Sequence, residues 1–131
     1  MRYLACLIFG VCVGALAATT LANALRARDV WPRSIMRVMQ HELAEAHRAV
    51  RARRCTDDDL ESALAHLGLL SGDIQPAVQP QPPPDRAFAR YATHLRSAIA
   101  TARLAGPDCA RRLRTLDAIG RACDACHRDY R

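Results

Sequence analysis

The chain has 131 residues, 19 of them arginine and none lysine, against 13 acids, for a net charge of +6; half of its residues are hydrophobic. That length suits one small domain and excludes a large core or a multidomain architecture. Its arginines are scattered rather than gathered into a stripe with interleaved aromatics, which describes solvated helix surfaces and argues against nucleic acid as a partner.

The N-terminus opens with Met1-Arg2, continues in an apolar run from Tyr3 to Ala18, and reaches a small-residue site at Ala22-Asn23-Ala24. A short basic start, an apolar middle and an A-x-A end form an export signal over residues 1–24, with cleavage expected after Ala24. Without cleavage the same run would remain as a single membrane anchor, since it approaches the length of a short span. Removal takes one arginine and no acid with it, leaving residues 25–131 with a net charge of +5.

Apolar spacing after the signal is helical throughout. In the first run Met36, Met39, Leu43, Ala46 and Val50 alternate steps of three and four, predicting a bundle helix from about Val30 to Arg53. A second run is expected to start from Thr56 as N-cap, to place Asp57, Asp58 and Asp59 in the first turn, to turn Leu60, Leu64, Leu67 and Leu70 inward, and to stop at Gly72. Residues 73–84, DIQPAVQPQPPP, read as an extended crossover because proline removes helical donors. Phe88, Tyr91, Leu95, Ala98 and Ala102 mark a third helix ending near Ala105-Gly106. Pro107 and Asp108 open a fourth, where Leu113, Leu116, Gly120, Cys123, His127 and Tyr130 keep the same rhythm.

On that last seam lies Cys123-Asp124-Ala125-Cys126-His127. C-x-x-C-H is the attachment signature of c-type haem: two thiols three residues apart can each add to a vinyl group while the adjacent imidazole binds iron. A thioredoxin-type redox pair would follow a strand, and none is predicted here; a zinc site would need a second ligand pair, and Cys55 and Cys109 are isolated singles. Export supports covalent haem, and an exported chain could join Cys55 to Cys109 or leave them as free thiols.

The terminal stretch from Ile119 to Arg131, I-G-R-A-C-D-A-C-H-R-D-Y-R, resembles the last helix of the cytochrome c prime family, the class II c-type cytochromes. The resemblance implies an antiparallel up-down-up-down four-helix bundle with haem attached near the C-terminus. By it, Cys123 and Cys126 carry the thioether bonds, His127 is the proximal iron ligand, and Arg131 covers the proximal face, where a plain C-terminal arginine would instead complement the helix dipole. Gly120, one turn before Cys123, reads as a helix-packing notch and as room for the haem to approach the backbone. The family's frequent arginine before the distal position falls on Pro32, with Arg33 one place away. That distal position is Met36; Met39 and His66 are its alternatives, whereas His47 lies eleven residues along the helix from Met36, roughly 16 Å, too far for the same iron. A family dimer through the first two helices is implied but weakened by a short second helix.

With Met36 bound, the expectation is a periplasmic carrier of one electron whose partners are redox proteins of the periplasm or inner membrane. With the sixth position open, a pocket of Met36, Met39 and Phe88 would instead hold NO or CO. No acid–base pair or substrate cleft is readable, so no enzyme is expected.

Overall fold

The computed structural model describes residues 2–80 and 85–130. Four helices account for it: α1 Arg2–Arg51, α2 Asp58–Val78, α3 Arg86–Arg103 and α4 Cys109–Asp129, with no strand among the described residues. Two compact units are distinguished, Met1–Arg33 and Ser34–Arg131.

The first unit is the leading part of α1. Large apolar side chains described in it are exposed: Tyr3 is 92% exposed, and Phe9, Leu16 and Leu21 are exposed as well. The apolar window at this end has a mean hydropathy of 1.9 and none of it is buried, so by length and composition it could cross a membrane, as a signal sequence also could. The hydroxyls of Thr19 and Thr20 donate to carbonyls three and four residues back, at 2.9–3.0 Å, and so need no outside partner.

The second unit is helix packed on helix around one core. Phe88, Leu60, Leu64, Leu67, Ile99, Leu116 and Ile119 are each less than 2% exposed, and all four helices contribute to the surrounding cluster. Helix α3 packs against both α2 and α4. The bundle part of α1 reaches α2 where His66 Nδ1 lies 3.3 Å from Glu42, and α4 where His47 Nε2 lies 3.9 Å from Asp117.

Helix ends follow local chemistry, with some departures from expectation. Helix α1 stops at Arg51 because Arg53 turns left-handed (φ 62°) and the Arg54 N–H reaches back to the Ala49 carbonyl at 2.9 Å, a closure more often made with glycine. It starts at Arg2 rather than near Val30, since the apolar segment is helical too. Asp57, not Thr56, is the N-cap of α2. That helix also runs past Gly72 to Val78 through Pro76, so it is a full 21 residues long and the expected extended crossover is wrong over residues 73–78. Its continuation is explained by burial: Ile74 and Ala77 turn into the core, while Pro76 is exposed, so the carbonyl freed by its missing N–H can face water. Asp85 caps α3 through the Ala87 N–H, and Asp108 caps α4 through those of Ala110 and Arg111, as read for the fourth helix.

Cys55 and Cys109 form a disulfide across 54 residues of sequence, just ahead of α2 and at the first residue of α4. Beside it Arg112, 5% exposed, donates from Nε to the Gly106 carbonyl at 2.6 Å and from Nη2 to Glu61, tying α4 to the first turn of α2. Closing a loop of this length removes chain entropy worth about 4 kcal/mol from the unfolded state. Cys55→Ala/Cys109→Ala is therefore expected to lower the thermal midpoint by roughly 15 °C, measured by circular dichroism.

Candidate cofactor site

Helix α4 carries the C-x-x-C-H run on its inward seam, one turn beyond Ile119, which is 0% exposed. The seam opens into a cavity of about 260 Å³. Gly120, Cys123, Cys126 and His127 line it from α4, Met36, Met39 and Leu43 from α1, Leu67 and Ile74 from α2, and Phe88, Tyr91 and Leu95 from α3. The wall is thus mainly aliphatic, aromatic and sulfur, with the polar side chains of Arg37, Gln40 and Asp124 at exposed positions.

Most of the expected residues meet there. Cys123 and Cys126 are partly buried free thiols, His127 is exposed, Met36 is half-buried and Met39 is buried. Gly120 lines the cavity, and a Cβ built on it would meet no atom within 4 Å. No protein neighbour therefore demands glycine here; its missing side chain leaves space open to the cavity. Burial, reinforced by Asp124 and by the neighbouring thiol, pushes the Cys123 thiol up, and burial followed by Asp129 does the same for Cys126. Both are therefore thiols at neutral pH, unlike the lowered thiol of a redox pair. Among the described residues no group of three His, Cys, Asp or Glu side chains converges.

Other assignments change. His66 pairs with Glu42 in a surface groove between α1 and α2 and does not line the cavity. Arg33 is exposed in the first unit, and Arg131 lies outside the described residues. Arg37 is the α1 guanidinium at the wall, with Gln40 one turn on. Gln40 stands at helical spacing from Met36, whereas Arg37 is its sequence neighbour and carried no such signal; the resemblance drew attention to the preceding turn. Ile74 was missed because α2 was expected to end before it.

A hydrogen-bonded aromatic group closes this end. Tyr130, the C-cap of α4, donates its hydroxyl to Asp85, the N-cap of α3, and packs edge-on to Phe88 at 5.2 Å and Tyr91 at 6.1 Å. Tyr91 donates to Asp129 at 2.5 Å. The bond to Tyr130 holds the Asp85 carboxyl below its ordinary range, and in return the Tyr130 hydroxyl is pushed up to about 12.

Compared with protein families, with curated proteins and with solved structures, the chain finds no match.

Because Asp85 is lowered, its contribution to stability is present above the ordinary carboxylate pKa of about 4 and is lost as pH falls through its lower folded value. Because Tyr130 is raised, its contribution is present below about 10 and is lost as pH rises toward 12. The thermal-midpoint difference between the protein and Tyr130→Phe is accordingly expected to be constant from about pH 5 to 9 and to shrink on both sides. An ultraviolet tyrosinate titration of the same pair checks the alkaline arm.

Proposed function

We propose that this chain is an exported monohaem c-type cytochrome of the cytochrome c prime class that carries one electron and transforms no substrate. The observation that carries the reading is the meeting of Cys123, Cys126, His127 and Met36 around one largely apolar cavity. Haem c fits that wall: aliphatic and aromatic side chains suit a macrocycle, the room left at Gly120 suits its approach to α4, and Arg37 with Gln40 suits its carboxylates. At about 260 Å³ the cavity lies just under the range of roughly 300–1,000 Å³ usual for ligand pockets. Accommodation therefore needs lining side chains to yield, for which the unbranched Met36 and Met39 are suited.

Each residue then has a task. With haem bound, Cys123 and Cys126 would tether it to one helix turn and His127 would supply a nitrogen ligand. Met36, from a different helix, would supply a thioether ligand and so keep outside ligands away. Bound haem supplies a one-electron couple, at a higher potential with His and Met on iron than with two nitrogens. The apolar walls exclude water from it.

The topology we infer is antiparallel up-down-up-down. Asp85 with Tyr130 and Tyr91 with Asp129 join the start of α3 to the end of α4, and Glu61 with Arg112 joins the starts of α2 and α4. Alternating directions account for all of these. The exposed apolar residues of the first unit support export to the periplasm by a signal cut after Ala24, or tethering to the inner membrane where it stays uncut. Redox proteins of those two places are the partners this reading assigns.

A second reading rests on the Met36, Met39 and Phe88 wall. With Met36 off the iron, that wall would hold NO or CO. Absorption spectra of the haem-loaded protein, ferric and ferrous, with and without CO, separate the two. Low-spin bands, a far-red sulfur-to-iron band lost in Met36→Ala, and no CO response are expected. A high-spin spectrum that shifts with CO would replace the electron carrier by the gas-binding module, and absence of covalently held haem would sink both.

A further inference from the structure

While Leu67 and Ile74 of α2 and Leu95 of α3 line the cavity, other side chains of the same two helices line a separate surface groove of about 430 Å³. Its α2 side holds Ala65, Gly68 and Leu69, and its α3 side holds Arg96, Ala100 and Arg103. The small residues keep the floor low. Leu69 stands out of it 73% exposed, although it is a large aliphatic side chain on a helix whose other leucines are buried or half-buried.

Charge is segregated between these helices. Helix α2 has four acids, Asp58, Asp59, Glu61 and Asp73, and no lysine or arginine; α3 has four arginines and no acid. Among the described residues Arg96 bonds only to the Thr93 hydroxyl, at 3.1 Å. Arg103 lies over Gly68, its Nη1 3.6 Å from where a Cβ would stand, and like Asp73 it has no ion pair there. Along α2 the outward stripe reads Ala65, Leu69, Asp73 at four-residue steps; along α3 it reads Arg96, Ala100, Arg103. Each stripe has an apolar centre, and the two carry opposite charges.

The geometry points to a second copy of this chain as the occupant of the groove. A two-fold axis running along it sets α2 of each copy on α3 of the other, so the same complementary pair of stripes is used twice, as a closed isologous interface requires. Leu69 then packs on the partner subunit's Ala100, and Asp73 answers the partner subunit's Arg96. The surface differs from the α1/α2 face that the cytochrome c prime resemblance implies. It is also independent of what fills the cavity.

Sedimentation velocity over a concentration series, on the protein as isolated from the producing cell, tests this. A dimer is expected whose dissociation constant rises at least tenfold in Leu69→Asp, in Arg96→Glu and in Asp73→Arg. Each charge variant sets like charges together twice in its own dimer. A mixture of Arg96→Glu with Asp73→Arg sets opposite charges together twice, so it is expected to restore association as a heterodimer. A monomer at every concentration would overturn the proposal, as would a dimer indifferent to all three changes, or charge variants that stay helical by circular dichroism but fail to pair.

Discussion

Everything at the proposed site depends on how α4 is held. Its C-x-x-C-H run has chemical value only if that seam faces the interior, and a helix turned by one residue rotates its side chains by about 100°. Two anchors oppose such rotation. At one end the Cys55–Cys109 disulfide and the buried Arg112 tie the first turn to α2 and the preceding loop. At the other, Tyr130 is bonded to the α3 N-cap and stacked edge-on against two aromatic rings. Between them Leu116, Ile119 and Ala122 are buried, so the register is also set by packing.

The readable parts of the sequence were those governed by periodicity. Steps of three and four located four helices and placed Met36, Phe88, Gly120 and Cys123 on inward faces, because core burial imposes that spacing whatever the partner helix. Boundaries were less readable, since Gly72 and Pro76 are strong breakers only where burial does not oppose them, and Ile74 and Ala77 oppose them here. The start of α1 escaped for a similar reason: the apolar N-terminal segment carries no break that would separate it from the helix after it. Arg37, which lines the cavity wall, was not singled out, because attention went to the turn before Met36.

The cysteines divide by position rather than by compartment. Cys55, 4% exposed, and Cys109 come from segments far apart in sequence whose Cα atoms are brought to 5.4 Å, within the usual reach of a disulfide. Cys123 and Cys126 share one helix turn and remain free beside the cavity. One pair thus serves as a cross-link, and the other keeps its thiols free. Spacing alone separated the two kinds of pair in the sequence, but which singles would meet depended on the fold.

The same bundle pairs a tight end with a hollow one. Side chains that face a cavity have fewer packing partners than those that face one another, so this end contributes less to the roughly 5–15 kcal/mol that holds a small domain together. Helix propensity cannot supply that difference, because bundle helices of this length owe most of their stability to packing. A cross-link worth about 4 kcal/mol at the opposite end works in the other direction. Covalent closure at one end and a cavity at the other are thus opposing contributions to the stability of one fold.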